Sequence, residues 1–168
     1  MLAGIWLGMA VFFTFGAGPM FFREPMLAVF KQAGAVEPKQ YSGMAAMLIL
    51  ERYFWWHLAC GAGFMSLLAC QRFLVRESVG KATLVLSGTV VAMGLVSGLY
   101  FQPRLHLLHQ QKYDSTLSAG VRETAGKQFM AAHGISQSAN LIALFCLVGL
   151  FVACWKDNGG DQPAARIN

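Results

Sequence analysis

The chain has 168 residues, of which 56% are hydrophobic and 12% are charged. Soluble domains carry about 25% charged residues, so this composition indicates an integral membrane protein whose first partner is the lipid bilayer. The formal net charge of +5 is carried by Lys and Arg side chains outside the apolar runs, where we expect headgroup contacts. Because no basic patch is interleaved with aromatic residues, the composition argues against nucleic-acid binding.

Four apolar runs are long enough to cross a bilayer, since a spanning helix needs about 20 mainly apolar residues. In chain order they are 2–22, 53–71, 82–101 and 136–155. The second run extends backwards to Ser42 if only the pair Glu51-Arg52 interrupts it. The sequence therefore predicts an all-α fold, a four-helix transmembrane bundle over residues 1–157, followed by a disordered polar tail at 158–168.

The two long connections, 23–52 and 102–132, mix apolar and charged side chains and are predicted to form amphipathic helices in the membrane interface. In the second connection, His106 and His109 are expected to face the headgroups. The halves of the chain also share a layout, because a proline follows each odd-numbered span and a histidine lies at the start of each even-numbered one. This layout suggests a tandem repeat of a two-helix unit.

Topology is predicted from the loop at 72–81, which concentrates Arg72, Arg76 and Lys81 in ten residues. Short loops rich in Lys and Arg remain in the cytoplasm. We therefore expect this loop and both termini to be cytoplasmic.

Two glycine pairs have the spacing at which membrane helices approach closely. They are Gly4 with Gly8 in the first run and Gly94 with Gly98 in the third. Both pairs are expected either to seal the bundle or to form the seam of a homodimer.

Polar side chains form a stripe where the last run begins. His133, Ser136 and Asn140 lie three, four or seven residues apart, on one face of a helix. An unpaired polar group in hydrocarbon costs about 1–3 kcal/mol, so the stripe must face protein, water or a ligand. Together with His57 and Arg104, these residues predict a pocket near one membrane face that binds or passes a small ligand.

Three interpretations of this pocket remain open. His57, Cys60 and His133 could bind a soft metal ion, since imidazole and thiolate suit such ions. Alternatively, His57 and His133, expected at similar depths, could ligate haem b in an electron-transfer protein. In the third interpretation the protein is purely structural or an interaction protein, and Ser136 and Asn140 tie the fourth spanning helix to the second by hydrogen bonds.

Enzymatic chemistry is not favoured by the sequence. A phosphate-binding loop, a nucleophile elbow, a His-Glu-x-x-His motif and paired carboxylates do not occur in it. Ser136 lies near His133 but lacks an orienting acid and an oxyanion hole, so we do not assign a hydrolase.

A family resemblance follows from the same residues. The pattern Phe129-xxx-His133-Gly-x-Ser136-xxx-Asn140, with Pro103-Arg104 after the third run, resembles the transmembrane protein 205-like family. The resemblance extends over most of residues 5–155. It implies a small multi-pass α-helical membrane protein, which we expect in a bacterial inner membrane, and no established reaction.

Overall fold

The computed structural model describes the backbone of residues 1–159 and the side chains of residues 1–156. Over this range the elements are helical: α1 Leu2–Met20, α2 Glu24–Gln32, α3 Pro38–Val75, α4 Lys81–Tyr113 and α5 Ala119–Gly159. All except α2 are long and apolar enough to cross a membrane. The predicted all-α bundle of four spanning helices is confirmed. The predicted disordered tail falls almost wholly outside the described residues.

The helix ends follow ordinary local chemistry. α2 begins after Arg23, whose backbone is extended, and has Pro25 in its first turn, where the missing N–H is not needed. It ends at Gln32, and Gly34, two residues later, has a φ of 84° in the left-handed region that glycine adopts without strain. α3 ends at Val75, and the next residue, Arg76, also has a positive φ, 61°.

Three stretches inside the long helices have the wider i→i+5 hydrogen bonding of a π-helix: Phe12–Ala17 in α1, Gln71–Val75 in α3 and Ser97–Phe101 in α4. Pro19 and Pro103 follow the first and third of these stretches. A proline gives no N–H and crowds the carbonyl four residues earlier. The wider turns are placed where they can accommodate both rings, and α4 continues through Pro103 to Tyr113.

The apolar part of the bundle, here called the anchor, is packed around Trp6 of α1, which is fully buried. Its buried neighbours come from all four spanning helices and are Ala3, Ala10, Phe64, Leu68, Val90, Leu144, Leu147 and Leu150. The outer surface exposes large apolar side chains such as Leu67, Val85 and Phe145. That is the surface expected of helices in contact with lipid tails, which are themselves apolar.

α3, α4 and α5 are longer than the hydrocarbon requires. They contain 38, 33 and 41 residues, against about 20 needed to cross. At one end of the bundle the segments 38–47, 102–113 and 119–136 extend these helices beyond the runs 53–71, 82–101 and 136–155, and they form what we call the head. The head has its own core of Leu105, Leu108 and Ala132, with Phe129 packed beside it.

The prediction that the two long connections form separate interfacial helices was only partly right. Residues 102–113, expected to lie in the interface as a separate helix, are the continuation of α4 and pack along the first part of α5. Over twelve residues this continuation rises about 18 Å. α2 is the separate amphipathic helix, and its Phe30 ring stacks on Tyr41 of α3 with centroids 6.4 Å apart.

Candidate functional site

His57 is the polar centre of the anchor and is 3% exposed. The indole N–H of Trp6 donates to its Nδ1 at 3.1 Å, and its Nε2 lies 3.4 Å from the carbonyl oxygen of Val90. Because Nδ1 accepts, the proton of the neutral ring is assigned to Nε2, which points at the carbonyl. His57 thus connects α1, α3 and α4, and both of its nitrogens have partners.

Glycines make room for this arrangement. A Cβ atom at position 94 would lie 2.5 Å from Cδ2 and 2.7 Å from Nε2 of His57. A Cβ at position 4 would lie 3.3 Å from the ring of Phe151 on α5, whereas one at position 8 would meet nothing within 4 Å. Gly94 and Gly4 therefore lie at close contacts inside the bundle. This agrees with the first of the two expectations for the glycine pairs, that they seal the bundle.

Asn140 joins the last helix to the first. Its Nδ2 donates to Oγ1 of Thr14 at 2.9 Å, and Thr14 belongs to the π-helical stretch of α1. The expectation that Asn140 bonds to the second spanning helix was wrong, because this face of α5 packs on α1. Ser136, one turn earlier, is half-buried.

The two histidines expected to form one site lie at different depths. Asn140 is level with Thr14, and α1 runs antiparallel to α5. Trp6, which bonds to His57, lies eight residues before Thr14, whereas His133 lies seven residues before Asn140. At about 1.5 Å per residue the two imidazoles are about 22 Å apart along the bundle axis. A single haem or metal ion does not reach both.

Arg104 and Cys60 do not join His57 and His133 in one site either. Arg104 is on the exposed face of α4, and its Nη1 lies 3.5 Å from the hydroxyl of Tyr100. Cys60 is a free, half-buried thiol one turn from His57. Among residues 1–159, no group of three or more His, Cys, Asp or Glu side chains is arranged to hold a metal ion.

In the head, aromatic rings form a row that the sequence did not reveal. His133 stacks on Phe129 with centroids 5.8 Å apart and planes 6° from parallel. Phe129 is in turn 5.8 Å from His109, and His109 is 4.9 Å from Tyr113. His109 is only 5% exposed, and a Cβ at Gly43 of α3 would overlap its Nε2.

The expectation that His109 faces the headgroups was therefore wrong. It lies next to Leu108 and four residues after Leu105, on the buried face of the helix. That spacing was a usable signal. Its partner Gly43 is far away in sequence and could not be identified from one chain.

An open groove of about 660 Å³ lies on the head between α4 and α5, lined by Lys112, Ala119, Arg122, Glu123, Gly126, Lys127 and Met130. The stem of Lys112 runs over Gly126, where a Cβ would lie 3.8 Å from it. Its ammonium is 5.0 Å from the ring centroid of Tyr113 and 5.9 Å from that of Phe129. Cationic groups of α4 and α5 thus line the same depression.

Comparison with known proteins gives a family and no function. No curated protein and no solved structure matches the chain. None of the comparisons supports the resemblance to the transmembrane protein 205-like family, whose most specific residues here, 129–140, follow the matched range. Residues 1–114 match the family model described as Domain of unknown function (DUF4149), which is more than half of the chain. The chain therefore belongs to the DUF4149 family.

Proposed function

We propose that this protein is a membrane-anchored binding protein, in which the anchor holds the head at one membrane face and the head binds a small ligand. The observation that carries this proposal is the continuation of α3, α4 and α5 into a packed head with an open groove. The groove is shallow, but polar and charged groups of two helices converge in it, and such groups fix the orientation of a small ligand.

The anchor offers no comparable set of available polar groups, which supports placing the ligand in the head. Its unusual polar side chains, His57 and Asn140, are engaged by neighbouring helices. Of the five residues predicted to bind a ligand, Arg104, His133 and Ser136 lie in the head, and none of the five lines the groove. Haem b or a soft metal ion at His57 stays an alternative, but ligation there would require the ring to leave Trp6 or Val90.

For topology we propose that both termini and the turn at 76–80 are cytoplasmic, in a bacterial inner membrane, with the head on the opposite face. The support is the cluster of Arg72, Arg76 and Lys81 around that short turn.

A second candidate function is that of a self-associating structural protein. It is favoured by Gly8, which faces open space on the outside of α1. Small residues of this kind allow a helix of a second copy to approach closely.

The proposal is tested by native mass spectrometry of the full chain released from its own membranes in mild detergent. We expect a small molecule to be retained by the wild type and lost from Met130→Trp, because the larger indole occupies part of the groove that Met130 lines. The matched control is Phe145→Trp, at a lipid-facing position that is 74% exposed, and it should retain the molecule. Absence of any retained molecule, or equal retention by both variants, would contradict the proposal.

A further inference from the structure

We infer that the groove on the head binds a phosphate dianion, either inorganic phosphate or the phosphate group of a larger solute, through Lys112 and Arg122. This inference rests on the proposed function, since it names the ligand chemistry of the same groove. It is argued from the pairing of the charged side chains around the groove.

Lys112 is held in place without a carboxylate. Its stem is supported by Gly126, and its ammonium lies over the rings of Tyr113 and Phe129. Cation–π contacts of this kind contribute about 0.5–1 kcal/mol at exposed sites and leave the N–H donors available. Lys112 is therefore oriented before any ligand arrives.

Arg122 has an unused donor. Its Nε is buried and has no hydrogen-bond partner within the described part of the chain. A buried unsatisfied donor costs about 1–3 kcal/mol, and more when the group is charged. An anion in the groove that accepts two parallel N–H bonds from the guanidinium would satisfy this donor once the side chain turns Nε towards the groove, and phosphate has the geometry for such a pair.

The two nearby carboxylates, Asp114 and Glu123, have partners other than Lys112 and Arg122. Asp114 accepts hydrogen bonds from the amide and the hydroxyl of Thr116, at 2.9 and 2.6 Å. These bonds, more than the charge of Arg122, hold the pKa of the Asp114 carboxyl below its usual value. Glu123 is paired with Lys127 at 2.7 Å on the exposed rim. The rim pair cancels, and Lys112 and Arg122 together outnumber the one remaining carboxylate, Asp114, so the groove keeps a net positive charge that attracts a phosphate dianion.

The position of the groove favours a soluble source. Arg122 lies fourteen residues before Ser136, where the predicted apolar run of α5 begins, so it stands about 21 Å further along the helix. The headgroup layer of one leaflet is only about 5–8 Å thick. A phosphate in solution reaches the groove more readily than a headgroup of the surrounding membrane.

The test uses the full chain in phosphatidylcholine nanodiscs, titrated calorimetrically with inorganic phosphate at constant ionic strength. We expect Arg122→Gln and Lys112→Gln each to raise the Kd at least about tenfold, which is the size of one lost charge-assisted hydrogen bond. The control variants Lys31→Gln and Arg52→Gln remove exposed charges elsewhere and should stay within about twofold of the wild type, well under one such bond. Helix content and melting temperature confirm that each variant is folded.

Absence of phosphate binding by the wild type, or equal binding by all four variants, would overturn the inference. If the native molecule is retained by the wild type but phosphate does not compete with it, this inference fails and the proposed function stands. A second titration in discs containing phosphatidic acid identifies the source. Unchanged binding supports a soluble phosphate, whereas lost binding means that a lipid phosphate occupies the groove and overturns the soluble source.

Discussion

Position 94 illustrates how closely single residues determine the anchor. The ring of His57 fills the space beside Gly94, and it is fixed there by Trp6 on one side and Val90 on the other. The sequence identified Gly94 as a site of close approach, but not its neighbour. Helical spacing shows that a residue is small and inward-facing, whereas the partner depends on how distant helices align.

Gly94→Ala is expected to destabilise the protein by about 1–3 kcal/mol, because the new methyl overlaps His57 in a closely packed core. Gly88→Ala on the same helix is the matched control. A Cβ there meets nothing within 4 Å, so better helix propensity should leave stability unchanged or raise it by up to about 1 kcal/mol. Equal unfolding free energies for the two variants in detergent would contradict this account.

At the scale of elements, the existence of the helices was easier to predict than their lengths. All four spans were found from apolar runs, but α3 begins at Pro38 and α5 at Ala119, well before the predicted starts. Hydropathy identifies the part of a helix that lies in lipid. It gives no information on a polar continuation, which is stabilised instead by neighbours such as Leu105 and Leu108.

The residues of the predicted pocket lie apart for the same reason, namely that the helices continue beyond the apolar runs. Arg104 was expected to share one pocket with His57 and the polar stripe of the last span. In the structure α4 continues, and the inward position is taken by Leu105, which is 4% exposed, so Arg104 faces outward. The direction of a side chain after a π-helical stretch cannot be extrapolated from the spacing before it.

The turn that joins α4 to α5 should respond to acid. Its Asp114 carboxylate has a pKa below the ordinary value of 3.8, chiefly because Thr116 donates two hydrogen bonds to it. A lowered folded-state pKa means that the carboxylate stabilises the turn above pH 3.8. This stabilisation is lost as the pH falls through the lower folded-state value.

We therefore expect the Thr116 amide to be protected from hydrogen exchange above pH 3.8 in the wild type and less so in Asp114→Ala. As the pH falls below 3.8, the melting temperature of the wild type should approach that of the variant. Glu37→Ala, at an exposed position outside this turn, serves as the control. A difference between wild type and Asp114→Ala that does not change across this range would contradict the assignment.

For the whole molecule, the main division is between anchor and head. In the first unit of the predicted tandem repeat, the separate helix α2 lies between the two spans. In the second unit, α4 itself continues to Tyr113, and a short turn connects it to α5. Their histidines also have different surroundings, since His57 is enclosed in the anchor and His133 stacks on Phe129 in the head. The repeat therefore stays a prediction, to be tested by superposing the two halves.

The division predicts a labelling pattern for single cysteines in a variant lacking the native ones. Leu107→Cys and Met130→Cys in the head should react rapidly with a membrane-impermeant maleimide, because both positions are exposed and outside the apolar runs. Ile142→Cys and Phe145→Cys are equally exposed in the bundle but should react slowly, since lipid covers them. Similar rates for both pairs would mean that the head is embedded.

The π turn at Ser97–Phe101 has a consequence for insertions and deletions in the family. Such a turn accommodates one extra residue without changing the phase of the helix after it. Straightening it at constant length would rotate the rest of α4 by about 100°, the angle between successive α-helical residues. Arg104 would then replace Leu105 in the core of the head. A relative that is one residue shorter here is expected to have an uninterrupted α-helix and an identical inward face.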